Sequence, residues 1–299
     1  MTKLPKAEGI VVPVVTPYKT QEKEQIDFEV FEKHLDYLQD NGIEGIFLLG
    51  TNGEAPLLNL DERKSIVKFA IKELPSRLDI YVGTGFPGFN QTLSFSRFAE
   101  DEGADFLVVS LPYFYGLNQG EIIDYYVKLT ESLELPILVY NKPVTRGVNL
   151  LPETFSKLSK IDQIVGLKDS AGNLMQFHQY VKHSQGEVSM LMGRDGLVLP
   201  SLVLGGDGAV SGLSNFCPGL ALSLYEKFKT EDYRTAQEYQ DKLLSVEDAV
   251  LQSPSAVAGI KKGVSLQGFS CEGPRSPLSS LSKPQADQLT EVLKNISII

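Results

Sequence analysis

The amino-acid sequence predicts an α/β protein, a closed (β/α)8 barrel followed by a C-terminal helical extension. Short apolar runs rich in β-branched residues alternate with amphipathic stretches, a pattern typical of buried parallel strands separated by helices. Eight such units suffice to close a barrel, and a length of 299 residues suits one barrel with a small extension. The predicted strands cover 9–16, 45–51, 79–85, 105–111, 136–141, 164–169, 188–193 and 208–212.

Helix signals separate these strands. Apolar residues recur at helical spacing over 27–41, where Asp27 is placed to cap the start and Gly42 to end the helix. Asn59 and Glu62 have the spacing of a capping box for the next helix. The alternation of strands and helices would also fit a doubly wound open sheet, which we keep as the alternative fold.

After about residue 216 the pattern becomes entirely helical. We therefore predict two parts, a catalytic barrel over 1–230 and a helical extension over 231–299. The predicted C-terminal helices lie near 216–228, 231–250, 254–265 and 284–296.

Composition excludes several classes of function. The net charge is −10 and no basic stripe is visible, which argues against nucleic acid as a partner. No apolar run is long enough to span a bilayer, so no membrane partner is expected. Only two cysteines are present, which indicates a reducing, cytoplasmic location. The three histidines fall on helix patterns without metal-ligand spacing, so no metal is expected.

Active sites of such barrels lie at the carboxyl ends of the strands, so the residues that end each run are the candidates. Lys168 follows the apolar run 164–167, where desolvation would lower its pKa and free the amine to attack a carbonyl. The alternative is a structural lysine paired with Asp169 or another carboxylate. The candidate positions are Thr16, Thr51, Asn52, Gly85, Tyr113, Tyr140, Asn141, Lys168, Asp169, Arg194, Asp195 and Ser211.

Two further segments could take part in chemistry. Tyr140 ends the run 136–139, where a phenol can transfer protons or simply pack. The turn 50–54 contains two glycines, and its N–H groups could hold a carboxylate or merely close a turn. The G-x-G-x-x-G match at 83–88 lacks the acid that a dinucleotide site needs after the next strand, so no nucleotide is expected.

Three segments resemble the signature motifs of the dihydrodipicolinate synthase / N-acetylneuraminate lyase family, the pyruvate-dependent class I aldolases. They are Gly-Thr-Asn-Gly-Glu at 50–54, Tyr-Asn-Lys-Pro at 140–143 and Gly-Leu-Lys-Asp-Ser at 166–170. The resemblance runs in order from about residue 9 to the C-terminal helices. It implies a TIM barrel that needs neither a metal nor an organic cofactor. It also implies a homotetramer, a dimer of dimers.

The resemblance also implies roles for single residues. Lys168 would form the Schiff base, and Tyr140, together with Thr51, would move protons. The pyruvyl carboxylate would be bound at Gly50, Thr51 and Asn52. The remaining substrate contacts are assigned to Tyr113, Thr145, Arg146, Val210 and Ser211.

The sequence departs from the lysine-biosynthesis synthase of this family at three places. Asn52 stands where that enzyme usually has a second threonine, and Phe114 aligns with a tyrosine that reaches a partner's site. Thr145 replaces an arginine that grips aspartate semialdehyde, and Arg146 follows one residue later. These changes favour the aldolases for 2-keto-3-deoxy sugar acids or hydroxy-oxoglutarate.

We therefore predict a lyase that cleaves a 2-keto-3-deoxy sugar acid, or a similar hydroxylated 2-oxo acid, to pyruvate and an aldehyde. The first alternative is 4-hydroxy-tetrahydrodipicolinate synthase, which joins pyruvate to aspartate semialdehyde. A third reading, from another class of protein, is a non-catalytic sensor of pyruvate or sugar acids.

Overall fold

The eight strands form one closed parallel barrel in chain order, as the computed structural model shows. The structure describes residues 4–19, 25–73, 78–184, 186–271 and 273–299, and the backbone alone of Arg146. The predicted barrel is confirmed, and the open doubly wound sheet is wrong. The strands are β1 (Gly9–Pro13), β2 (Gly45–Leu48), β3 (Asp79–Gly83), β4 (Phe106–Ser110), β5 (Ile137–Asn141), β6 (Ile164–Asp169), β7 (Ser189–Met192) and β8 (Gly208–Val210).

Twelve α-helices follow or separate the strands in the described residues. Apart from Asp79 at the start of β3, every strand residue is buried, as expected when helices cover a parallel sheet. The helices are α1 (Phe28–Asp40), α2 (Leu60–Glu73), α3 (Phe89–Glu102), α4 (Gln119–Thr130), α5 (Pro143–Arg146), α6 (Pro152–Leu158), α7 (Leu174–Ser184), α8 (Val198–Val203), α9 (Pro218–Lys229), α10 (Tyr233–Leu251), α11 (Ala256–Leu266) and α12 (Lys283–Asn295).

The helix caps expected from the sequence are present. The Asp27 side chain accepts a hydrogen bond from the Val30 N–H at 3.1 Å at the start of α1. Gly42 follows the end of α1 with a φ of +83°, a left-handed conformation that glycine adopts without strain. Asn59 and Glu62 form the reciprocal capping box, with N–O distances of 2.9 and 2.8 Å.

Backbone contacts group the chain into two compact units. The first comprises Met1–Gly9 with Asp79–Val210 and contains β3 to β8. The second comprises Ile10–Leu78 with Ser211–Ile299 and contains β2 and the C-terminal helices. The sequence-based division into 1–230 and 231–299 was drawn where the pattern becomes entirely helical, and it stays a prediction.

Within the second unit, α10 packs against α9, α11 and α12. Its buried residues recur every three or four positions, so one stripe of the helix faces its neighbours. Across the portion of the chain that the structure describes, no helix has both the length and the apolar character for a membrane crossing. The buried stripe of α10 comprises Ala236, Gln240, Leu243, Val246, Ala249 and Val250.

Candidate active site

The neighbouring strands β5 and β6 bring the two chief candidates together. In their register Tyr140 lies opposite Lys168, and Asn141 lies opposite Asp169. Side chains alternate between the two faces of a strand, so Tyr140 and Lys168 share one face while Asn141 and Asp169 share the other. The sequence placed these residues at strand ends, and the structure confirms that they end β5 and β6.

Lys168 is 5% exposed, and its Nζ lies 4.0 Å from the centroid of the Tyr140 ring. Burial lowers the pKa of Lys168, because the charged ammonium loses its water, and the positive charge of Lys142 lowers it further. Interaction with Tyr140 and with the carboxylate of Asp195 opposes this shift without reversing it. The lowered pKa increases the fraction of free amine, which is the nucleophilic form.

The Tyr140 side chain is 4% exposed, and its ring lies against the Lys168 amine. Its hydroxyl hydrogen-bonds with the Lys168 side chain. A phenol in this position can exchange protons with groups bound at the lysine nitrogen. The site therefore combines a buried amine and a proton-transfer group on adjacent strands.

The structural alternative for Lys168 was a pairing with Asp169 or another carboxylate, and the structure contradicts only the pairing with Asp169. Asp169 points to the opposite face of β6, where its Oδ1 accepts from Asn141 Nδ2 at 2.8 Å and from the Ala171 N–H at 3.4 Å. Burial raises the pKa of Asp169 to about 6, although these two hydrogen bonds favour the charged form. Its Oδ2 has no hydrogen-bond partner among the described residues.

The hydrogen bonds of Asn141 continue into a partly buried polar network that the sequence did not reveal. Its Nδ2 also donates to Asn149 Oδ1 at 3.0 Å, and its Oδ1 accepts from the Leu150 N–H at 3.1 Å. Asn149 and Gln176 exchange two hydrogen bonds, of 2.7 and 3.1 Å. Gln176 donates in turn to the Tyr180 hydroxyl at 2.9 Å. The network thus links the end of β5 to the loop before α6 and to α7.

The glycine-rich turn at Gly50–Glu54 follows β2 in the second unit. Its chain reversal is held by hydrogen bonds from the Glu54 N–H to the Thr51 carbonyl at 3.1 Å and from the Ala55 N–H to the Gly50 carbonyl at 3.4 Å. A side chain at Gly50 would approach the Phe47 ring to 2.8 Å, so the close packing of this turn requires glycine. Thr51 and Asn52 are half-buried.

A buried group of charges supports this turn. Glu54 Oε1 lies 2.5 Å from Lys261 Nζ in α11, and both side chains are fully buried. The two atoms lie at the distance of an ion pair, but the angles between them do not suit a hydrogen bond. The second carboxylate oxygen, Oε2, accepts from the Arg275 N–H at 2.7 Å. Lys261 also lies 4.0 Å from the ring centroid of Tyr18. The C-terminal extension therefore holds the turn through Lys261 and Arg275.

The remaining predicted substrate contacts differ in exposure. Tyr113 is half-buried, whereas Thr145 is exposed and its hydroxyl donates to the Lys142 carbonyl at 3.5 Å. Val210 is buried, and the hydroxyl of buried Ser211 accepts from the Ser214 hydroxyl at 2.7 Å. The side chain of Arg146 lies outside the described part of the chain.

The loop after β4 exposes two aromatic side chains. Phe114 is 85% exposed, and its φ of +86° lies in the left-handed region, which is strained for a residue with a side chain. Tyr115 is 70% exposed, and its ring packs edge-on against Phe114 with centroids 5.0 Å apart. Apolar rings that remain in water indicate a contact surface.

A closed parallel barrel with Tyr140 and Lys168 side by side at the ends of adjacent strands defines the class of this protein as a (β/α)8 barrel. A sequence model of the dihydrodipicolinate synthetase family matches residues 6–296. The chain therefore belongs to the dihydrodipicolinate synthetase family, whose members are lyases and aldolases.

Individual relatives match over nearly their full length. The 4-hydroxy-tetrahydrodipicolinate synthase of Syntrophus aciditrophicus is 31% identical over 292 residues, 98% of this chain and 99% of that protein. An uncharacterized DapA-like lyase of Halobacterium salinarum is 32% identical, with coverage of 97% and 94%. The crystal structure of YagE, an E. coli K12 prophage protein of the same family in complex with pyruvate, superposes with a TM-score of 0.92. That alignment has 29% identity and covers 98% of this chain and 99% of YagE.

Proposed function

We propose that this enzyme is a class I lyase that forms a Schiff base between Lys168 and a 2-oxo acid. The observation that carries the proposal is the buried Lys168 amine, with its lowered pKa, against the Tyr140 ring at 4.0 Å. A lowered pKa increases the fraction of the uncharged amine, which is the form that can attack a ketone, whereas an ordinary surface lysine remains charged.

The proposed reaction begins when Lys168 Nζ attacks the C2 carbonyl of the substrate. The resulting carbinolamine loses water, with Tyr140 transferring the protons, and leaves a protonated imine. Tyr140, deprotonated when it gave its proton to the departing water, takes the proton of the C4 hydroxyl. The C3–C4 bond then breaks, its electron pair moves into the protonated imine to form an enamine, and an aldehyde departs. The enamine then takes a proton at C3, and water releases pyruvate and the free lysine.

We assign the substrate carboxylate to the turn at Gly50, Thr51 and Asn52. Backbone N–H groups in such a glycine-rich turn can bind an anion without a charged side chain. This assignment matters because the net charge of −10 repels an anionic substrate, so local donors must attract it. Thr51 would share the proton transfers with Tyr140.

For the substrate we propose a 2-keto-3-deoxy sugar acid or a similar hydroxylated 2-oxo acid. Thr145 offers a hydroxyl where the related synthase has an arginine, and an arginine is the natural grip for the second carboxylate of aspartate semialdehyde. Ser211, Asn52 and Tyr113 would provide further polar groups for sugar hydroxyls. The remaining residues that we assign to the substrate site, besides Tyr113, are Arg146 and Val210.

The second candidate is 4-hydroxy-tetrahydrodipicolinate synthase. It is favoured by the similarity to the synthase of Syntrophus aciditrophicus along 98% of this chain. Lys142 and Arg146 offer positive charges that could substitute for the missing arginine at Thr145. Both candidates use the same Schiff base and differ only in the second substrate.

The experiment compares kcat/KM for pyruvate release from a panel of 2-keto-3-deoxy acids with kcat/KM for condensation of pyruvate with aspartate semialdehyde, in one buffer. A site that hydrogen-bonds hydroxyls rejects compounds that leave its polar groups unpaired by up to about ten-thousandfold. We expect a sugar acid to react faster. A semialdehyde advantage of about tenfold, equivalent to about 1.4 kcal/mol, replaces the aldolase assignment by the synthase.

We also propose that the enzyme is a cytoplasmic homotetramer, a dimer of dimers. The exposed rings of Phe114 and Tyr115 support an assembly, because contact with a second copy would remove them from water. Cys217 and Cys271 are buried and form no disulfide within the described residues, as is typical of a protein from a reducing compartment.

A further inference from the structure

We propose that Asn141 and Asp169 are positioning residues, whose hydrogen bond across β5 and β6 holds Tyr140 and Lys168 in the geometry that forms the imine. This inference rests on the proposed Schiff-base function. It assigns a catalytic purpose to two side chains on the outer face of the strands, where neither can touch the substrate.

The backbone register couples the two pairs. Asn141 and Asp169 lie opposite each other one residue beyond Tyr140 and Lys168. The 2.8 Å hydrogen bond from Asn141 Nδ2 to Asp169 Oδ1 therefore ties together the last residues of both strands. Any sliding of β5 against β6 that separated the amine from the phenol would also stretch this bond.

The register of this strand pair is irregular at one point. The pairing shifts between Ile137 and Leu138. Such an irregularity disrupts the local ladder and bends the strand. Beyond it, the pairing continues in register from Leu138–Gly166 to Asn141–Asp169, and the side-chain bond between Asn141 and Asp169 ties together the end of this segment.

The surroundings leave Asn141 one orientation. Its Nδ2 donates to Asp169 and to Asn149, and its Oδ1 accepts from the Leu150 N–H, so both amide hydrogens and the oxygen have partners. Flipping the amide would place its oxygen against two acceptors. Asn141 and Asp169 are both completely buried. Neither side chain therefore has the conformational freedom of an exposed residue, which would weaken the bond.

Asp169 makes an unfavourable contribution to the free energy of folding. Its Oδ2 lacks a hydrogen-bond partner in the described part of the chain, and burial raises its pKa to about 6. An apolar side chain of similar volume would avoid the cost of a buried, half-satisfied carboxylate. The carboxylate is thus better explained by the position that it gives to its neighbours than by stability.

The test measures the rate at which borohydride with pyruvate labels Lys168, expressed per folded molecule. Asp169→Leu removes the acceptor and introduces a branched but larger apolar side chain, and Asp169→Asn keeps an acceptor oxygen for Asn141. Displacement of a reacting group by about 1 Å can cost about a hundredfold in rate. We expect Asp169→Leu to label at least about tenfold more slowly, with a smaller change in the KM for pyruvate, and Asp169→Asn to stay within about threefold of the wild type.

Tyr126→Phe is the matched control, because it deletes a buried hydrogen bond of 2.7 Å to the Val109 carbonyl in β4, whereas the bond under test joins β5 and β6. It should lower thermal stability and leave the labelling rate unchanged. If Asp169→Leu does not fold, Asp169→Ser provides the same test, since its shorter side chain does not reach Asn141.

The possible results separate the two proposals. A wild type that never labels overturns the Schiff-base function, and this inference with it. A wild type that labels at Lys168, beside an Asp169→Leu protein of unchanged rate, overturns the positioning role alone. The positioning role is also wrong if Asp169→Asn is as slow as Asp169→Leu, because the acceptor oxygen would then be irrelevant.

Discussion

Replacing Glu54 by glutamine should leave the buried ammonium of Lys261 without a counter-ion next to the glycine-rich turn. In the native protein Glu54 Oε1 lies 2.5 Å from Lys261 Nζ, with both side chains completely buried. Glutamine keeps an oxygen that can accept from the Arg275 N–H, but its neutral amide cannot balance the lysine. The fold must then either bury an unpaired ammonium or release its proton.

The cost of Glu54→Gln follows from these two outcomes. Removing one partner of a buried ion pair lowers the free energy of unfolding by about 3–5 kcal/mol. Deprotonating Lys261, whose ordinary pKa is 10.5, costs about 4 kcal/mol at about pH 7.5 and about 1.4 kcal/mol at about pH 9.5. We therefore expect the free energy of unfolding to fall by about 3–4 kcal/mol at the lower pH and by less than half of that at the higher pH.

The sign of this pH dependence is fixed by linkage. Burial already lowers the pKa of Lys261 in the native fold, and loss of the Glu54 charge lowers it further. Between the folded pKa and 10.5 the unfolded state binds more protons, so a rise in pH favours the folded state. The variant should therefore approach the wild type in stability as the pH rises.

Urea unfolding at both pH values measures the effect. Glu54→Gln combined with Lys261→Met removes both charges and should recover most of the loss. Glu29→Gln is the control, because Glu29 and Lys33 form an ion pair of 2.6 Å with side chains 78% and 62% exposed, and its loss should not be measurable. A deficit for Glu54→Gln that is the same at both pH values, or a double variant no better than the single one, would refute the reasoning.

Three further predictions concern catalysis and assembly. Lys168→Arg should abolish turnover in a steady-state assay, because a guanidinium stays protonated and cannot attack; measurable turnover would contradict this. Tyr140→Phe should lower kcat by about a hundredfold to ten-thousandfold while the protein keeps its fold, since the ring still packs and only the hydroxyl is lost. An unchanged kcat would make Tyr140 a packing residue. Replacing Phe114 and Tyr115 by serine should shift the tetramer to smaller species in light scattering, and a wild type that is monomeric at every concentration removes the assembly from the account.

The barrel could be predicted because its strands have a simple signature. Strands covered on both faces are continuous apolar runs, and all eight expected runs contain an observed strand. Strand ends were less accurate. The second run was expected to reach residue 51, but β2 ends at Leu48 because Leu49 adopts a φ of +58° and leaves the ladder. An apolar run in the sequence does not predict such a change of backbone conformation.

The candidate site was predictable only where it follows strand ends. Lys168 and Tyr140 could be placed there because each closes an apolar run, and the structure brings their side chains into contact. The pairing of Asp169 with Lys168 failed because adjacent strand residues point to opposite faces. The sequence did not reveal that Arg275 binds Glu54, because the two residues lie 221 positions apart. Contacts over such a separation leave no periodic signal in the chain.

The central claim is that Lys168 is the nucleophile, and its most direct test is peptide mass mapping after borohydride reduction in the presence of pyruvate. The reduction converts the imine into a stable amine and leaves a pyruvyl-derived mass on the lysine that reacted. We predict a single modified peptide that contains Lys168, and none when pyruvate is omitted. An unmodified protein, or a mass increase on a different lysine, would contradict the account.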